Sequence, residues 1–196
     1  LQGAMGWYMV ASGLVDEPRV SPYRLAAHLG LAFAILALML WIAVDLVPAP
    51  RSAAPATRRL ARPALALSAL VFVMVLSGGL VAGTHAGLAF NTWPLMGDRL
   101  VPTDLFPLAP WWRNAFEHIP LVQLDHRVLA YVIAAGGVTL WIRCRAAGLP
   151  GRARLAAHAL LAALALQLSL GVATLLFVVP APLAAAHQAG AVALFS

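Results

Sequence analysis

Continuous apolar runs dominate the chain, and polar residues collect in the short intervals between them. Four runs, 23–47, 63–83, 122–142 and 155–178, each supply the length of a membrane span, for which about 20 mostly apolar residues are needed. Two shorter runs, 1–15 and 183–196, read as the end of one further helix and the start of another. Backbone polar groups can be satisfied in lipid only by helices or closed barrels. The runs lack the two-residue alternation of a barrel strand, so helices are predicted. The predicted fold class is an all-α integral membrane protein built of transmembrane helical bundles. The chain opens and closes inside apolar runs, with no basic n-region or cleavage site at its start. It is therefore expected to be part of a longer polypeptide.

The polar intervals fix an orientation. Arg51, Arg58, Arg59 and Arg62 fall in loop 48–62, and Arg143, Arg145, Arg152 and Arg154 in loop 143–154. Arginine-rich short loops stay in the cytoplasm. The other side then receives 14–22, the long segment 84–121 and the turn 180–182, which hold Asp16, Glu17, Asp98, Asp104 and Glu117. Segment 84–121 is thereby predicted to be periplasmic. It carries Trp93, Trp111 and Trp112 among several prolines, and tryptophan favours the membrane interface. Short helices and turns capping the bundle are expected there.

Composition agrees with the pattern. Of 196 residues, 62% are hydrophobic and 10% charged, and mean hydropathy is +0.87; soluble domains are about 25% charged. The net charge of +6 comes from 13 basic residues, all arginine. In a membrane protein this reflects loop sidedness, and no nucleic-acid partner is implied. The absence of lysine suggests a GC-rich bacterial genome, hence the bacterial inner membrane. The single cysteine, Cys144, excludes an intramolecular disulfide and a cysteine-based metal cluster.

A weak internal repeat is visible. "LQGAMG" at 1–6 resembles "LQLSLG" at 166–171, and each precedes an outer turn and a helix with an early histidine. Those helices contain "RLAAHLGLA" around His28 and "LAAAHQAGA" around His187. His126, in "LVQLDHRVLAY", also lies about one turn inside a helix entered from the outer face. With a rise of about 1.5 Å per residue, the three imidazoles share one depth in the outer half of the membrane. An ionisable group inside a span is a functional candidate; the plainer reading is a histidine bonding a neighbouring helix. Three at one depth favour ligation. Cysteine ligands, matched methionines and membrane carboxylates are lacking, so zinc and di-iron sites fit poorly and histidine-ligated haem fits best.

Other residues are weaker candidates. Arg24, Arg113 and Arg127 lie near the ligand level and suit haem propionates, or they snorkel at the interface. For Asp125 a pair with Arg127 and a cap at the helix start are both open, and neither is adopted. His118 reads as a surface or lid residue, His158 as interfacial on the cytoplasmic side, and His85 as the structural end of a helix on the outer side, within reach of the site. Gly78, Gly79, Gly83, Gly136, Gly137, Gly171 and Gly190 permit close approach of helices or of a flat macrocycle.

The segments "MVASGLVDEPRVSPYRLAAHLGLAF", "LVAGTHAGLAFNTWPLMGDRLVPTDLF", "PWWRNAFEHIPLVQLDHRVLAY" and "HQAGAVALF" resemble the haem A synthase family of the alphaproteobacterial and mitochondrial type, over nearly the whole chain. The resemblance implies two pseudo-symmetric four-helix bundles, of which this chain holds family helices three to eight. The first two helices are missing, along with their histidine and a nearby glutamate. It implies a division at 1–62, the remainder of the substrate-haem half, and 63–196, the haem b half. His126 and His187 would be the axial ligands of haem b, and His28 would belong to the site of the substrate, haem O. The implied reaction oxidises the C8 methyl of haem O to a formyl group, giving haem A, with water as the proposed oxygen source. His85 stands where relatives are expected to differ, and the outer-loop cysteine pair of some members is absent.

The residues alone reach a histidine-ligated haem in the outer half of a helical membrane protein. They leave open a non-catalytic di-haem b-type electron-transfer subunit and a transporter with a histidine proton relay. The expected partners are membrane lipid, haem O with the haem O synthase that supplies it, an undefined electron donor or acceptor, and a second copy of the chain.

Overall fold

The structure, a computed structural model, describes residues 1–11, 20–47, 55–149 and 151–196. Arg51, Asp16 and Glu17 of the orientation argument lie outside the described residues. Among the described residues seven α-helices follow in order: α1 (Gln2–Ala11), α2 (Pro22–Asp45), α3 (Pro55–Gly83), α4 (Asn114–Glu117), α5 (Ile119–Ala146), α6 (Gly151–Leu176) and α7 (Ala181–Phe195). Single 3-10 turns at Ala86–Leu88 and Trp111–Arg113 punctuate the outer segment. Among the described residues the only β-type pairing is an isolated bridge between Met96 and Arg99. Helices α2, α5, α6 and the Arg58–Gly83 part of α3 are long and apolar enough to cross a membrane. The protein is an all-α, multi-pass membrane bundle.

The helix starts have local causes. Pro22 opens α2, and prolines at the second position, Pro120 and Pro182, open α5 and α7. Their fixed φ suits a first turn whose N–H groups have no helical acceptor. The arginines depart from the predicted loops. Arg58, Arg59 and Arg62 are helical, since α3 begins eight residues before Pro63 and carries that proline inside it. Arg143 and Arg145 end α5, and Arg152 and Arg154 begin α6. Apolarity locates the lipid-embedded part of a helix, whereas Ala, Leu and Arg extend the helix beyond it. A division between residues 62 and 63 falls within α3.

Packing is apolar within and without. Leu67 and Val71 of α3, Ile133 and Leu140 of α5 and Leu164 of α6 form the buried core. Phe33 of α2 meets Phe195 of α7 edge-on at 5.3 Å, which ties the first helices to the last. Leu38, Met39 and Trp41 on α2 are instead more than half exposed, as lipid-facing side chains are. Helices α2 and α3 run antiparallel in close contact: a Cβ on Gly79 would lie 2.8 Å from Ala26 Cα, and one on Gly83 2.5 Å from Pro22 Cα. Trp141 Nε1 donates to His158 Nδ1 across α5 and α6 at 3.1 Å, so His158 is a clasp between helices at the end remote from the other histidines.

The outer segment is a packed cap. Asn114, fully buried, exchanges hydrogen bonds with the Leu108 backbone and donates to Trp111 O. Asn91 Nδ2 donates to Gly87 O and to Leu175 O of α6. Trp93 Nε1 donates to Tyr131 OH. Trp111 and Trp112 remain exposed, as expected of interfacial tryptophans.

Candidate functional site

The starts of α2, α5 and α7 lie at one end of the bundle, because each packs against the finishing turns of its neighbour. His28, His126 and His187 are each about two turns inside their helices rather than the one turn expected, because the helices begin before the apolar runs do, and their distances from the helix starts remain alike.

His126 and His187 line one cavity of about 560 Å³ between α2, α3, α5, α6 and α7. Its walls are largely apolar, with Phe33, Val75, Ile133 and Leu168 among them. The polar groups that enter it include the two histidines, His85, Gln123, Arg127, Gln167 and Gln188, with Tyr131 and Thr174 beside them. A large apolar cleft with a few convergent polar groups is the usual form of a ligand site. His28 is not among the lining residues; it faces α1 instead.

Each histidine sits edge-on against a glycine of another helix. A Cβ on Gly78 would be 3.5 Å from His126 Cε1, one on Gly171 2.9 Å from His187 Cε1, and one on Gly6 3.2 Å from His28 Cε1. The rings are held differently. His126 Nδ1 is hydrogen-bonded to Ser77 Oγ at 3.1 Å. Gln167 Nε2 donates to the His187 carbonyl at 3.0 Å, and Gln2 Nε2 donates to the His28 carbonyl at 3.1 Å. The Nδ1 atoms of His28 and His187 are buried with no hydrogen-bond partner among the described residues.

The three candidate arginines separate. Arg127 lines the cavity and donates from Nη2 to Phe90 O at 2.9 Å and from Nη1 to Leu95 O at 3.1 Å. Its Nε is buried and unbonded among the described residues. Arg24 stacks on the Tyr8 ring at 4.9 Å. Arg113 is engaged by Glu117 at 2.6 Å, and Tyr23 OH donates to the same carboxylate at 2.8 Å. Arg113, bonded first and then Tyr23, holds the Glu117 carboxyl below the usual carboxylate range.

Both readings of Asp125 are corrected. It lies inside α5, whose N-cap is His118, so it caps nothing. The ion pairs found among the described residues, Arg99–Asp98 and Arg113–Glu117, do not include it. His85, set apart by the sequence reading, adopts a left-handed φ of 58° and reaches the cavity wall. Gln2, Gln167 and Ser77 were missed as well. The glutamines occupy matching positions in "LQGAMG" and "LQLSLG", so the repeat itself carried their signal.

These features define a multi-pass helical membrane protein that gathers imidazoles from neighbouring helices around an apolar cavity. The whole chain, residues 1–196, matches the COX15-CtaA model, described as cytochrome oxidase assembly protein, and the chain belongs to that family. Over its full length it is 57% identical to the Heme A synthase of Nitrosospira multiformis, of which it covers 56%. It is 48% identical to the Heme A synthase of Paramagnetospirillum magneticum, covering 55%, and 44% identical to the Heme A synthase COX15 of Homo sapiens, covering 50%. The chain thus spans about half the length of the curated relatives it matches.

Proposed function

We propose that this chain is the haem-binding part of a haem A synthase, oxidising the C8 methyl of haem O to the formyl group of haem A. The observation that carries this reading is that His126 and His187, on separate helices, line one apolar cavity. Its volume of about 560 Å³ lies in the 300–1,000 Å³ range of cofactor sites. The residues fit a haem b: two imidazoles for the iron, glycines beside both rings, apolar walls, and the Arg127 cation for a propionate. A bound haem b supplies one-electron redox chemistry to the site.

The chain's own residues then have distinct tasks. In the Nδ1–H tautomer of His126, Ser77 Oγ accepts the ring proton and Nε2 would be the nitrogen left for iron. Arg127 offers its buried Nε to a carboxylate while its Nη1 and Nη2 groups donate to the Leu95 and Phe90 carbonyls of the outer segment. His28, held by Gln2 and Gly6, belongs to the substrate haem O, whose orientation it fixes. Arg24 and Arg113 have weaker claims as propionate contacts, since Tyr8 and Glu117 already engage them. The arginine distribution supports the bacterial inner membrane, with loops 48–62 and 143–154 cytoplasmic and segment 84–121 periplasmic. A haem O synthase in the same membrane is the natural supplier.

The test is to express the protein carrying this chain, at the length of its relatives, in cells supplied with haem O, and to extract its haem. Haem A or a hydroxylated intermediate is expected. Recovery of haem B and haem O alone overturns the synthase reading. His126→Ala and His187→Ala are each expected to abolish a low-spin bis-histidine signal; its persistence in both rejects them as axial ligands.

A further inference from the structure

One arrangement occurs twice. Gln2 and Gly6 on α1 face His28 on α2, and Gln167 and Gly171 on α6 face His187 on α7. In both, a glutamine and a glycine four residues apart share a helix face. In both, the amide Nε2 donates to the carbonyl of the histidine itself, and the histidine Cε1 edge rests on the glycine. Gln2 Oε1, Gln167 Oε1, His28 Nδ1 and His187 Nδ1 are all buried and unbonded among the described residues; the two sites differ at one point, since Gln2 Nε2 also lies 3.4 Å from His28 Nε2.

We propose that Gln2 and Gln167 are positioning residues, each fixing the peptide unit of one candidate ligand histidine while a glycine seats its ring. The proposal rests on the haem reading above. A helical carbonyl already accepts one bond from the residue four positions on, and its second lone pair is free. Each glutamine uses that lone pair on the one residue per helix that carries an imidazole into the bundle. Burying an amide in a membrane helix is costly unless it is bonded, so two independent packing accidents at the same carbonyl are a poor explanation. His126 has its glycine, Gly78, without the glutamine, and its ring is held directly by Ser77. The His187 ring is therefore held through its backbone and its seat, and Gln167 is expected to govern its aim.

The test uses Gln167→Met, which keeps length and shape without hydrogen bonds, Gln167→Glu, which removes the amide donor, and Gln2→Met. All are made in the protein at the length of its relatives, loaded with haem. Haem affinity is measured by transfer to apomyoglobin, alongside low-spin g values and midpoint potential. Both Gln167 variants are expected to shift the g values and potential and to weaken haem b about tenfold, the lower end for residues that orient metal ligands. Gln2→Met is expected to leave the haem b signal intact and to weaken haem O by a similar factor. Unchanged g values, potential and affinity in both Gln167 variants overturn the proposal. An equal effect of Gln2→Met and Gln167→Met on haem b also overturns it, since that is general packing. Loss of the low-spin signal in His187→Ala with wild-type behaviour of the Gln167 variants rejects the positioning role alone. A wild-type protein without low-spin haem removes the haem reading and this proposal together.

Discussion

At the scale of residues, His126 is defined by what holds its ring. The Ser77 hydroxyl is hydrogen-bonded to Nδ1, and outer contacts of this kind set a ligand's tautomer and basicity. Ser77→Ala is expected to keep the fold and haem stoichiometry but to lower haem affinity about 10- to 100-fold and to move the low-spin g values. An affinity and spectrum matching wild type contradict that role. His126 and His187 were legible in the sequence because helix depth is arithmetic: distance from a helix start converts to height in the membrane. Their partners were not, because Ser77, Gln2 and Gln167 are unremarkable inside apolar runs. Only facing helices reveal which carbonyl or ring a polar side chain meets. The sequence left two readings of His85 open, because a left-handed residue at a helix end redirects the chain, and hydropathy does not encode that turn. Asp125 stayed without an account in the sequence because whether it caps α5 depends on where that helix starts, which is six residues earlier, at Ile119.

At the scale of elements, the close pairing of α2 with α3 depends on backbone contact. A Cβ at Gly79 meets Ala26 Cα at 2.8 Å, and main chain cannot move aside as a side-chain tip can. Gly79→Ala is therefore expected to destabilise by about 1–3 kcal/mol, the usual cost of overpacking. Gly136 offers the contrast, since an added Cβ meets only Leu67 Cδ1 at 3.3 Å. There the helix propensity of alanine dominates, and Gly136→Ala is expected to be neutral or stabilising by up to about 1 kcal/mol. Unfolding in detergent distinguishes the two, and equal effects refute the argument. The four spans were legible because length and apolarity alone define them. Their ends were not: α3 begins at Pro55 and α5 runs to Ala146, both beyond the apolar runs, since helical hydrogen bonding continues where lipid stops. Glycine positions were legible as a class, but which helix each one meets follows only from the packing.

At the scale of the whole molecule, the outer cap and the helix carrying His28 are joined by a small charged cluster. Glu117 of α4 takes Arg113 at 2.6 Å and the hydroxyl of Tyr23, at the start of α2, at 2.8 Å. These bonds, Arg113 first, hold its carboxyl below the usual range. A carboxyl lowered in the folded state stabilises the fold above the unfolded glutamate pKa of about 4.3. That contribution is lost as pH falls through the lower folded value. The cluster is exposed, so its effect is small and screened by salt. It is nonetheless specific, because two partners from different elements converge on one carboxylate. Glu117→Gln is expected to lower the melting temperature above about pH 5, where the wild-type carboxylate is charged in both states. The gap between the two proteins is expected to close as the pH drops and the wild-type carboxyl takes up its proton. Melting curves of both across pH 3–7, at low salt, check the sign. A gap that stays constant over this range shows that Glu117 acts by shape rather than charge. A gap that widens on acidification reverses the linkage, and the join between cap and bundle then rests on the Tyr23–Phe116 ring contact, at 6.2 Å, instead.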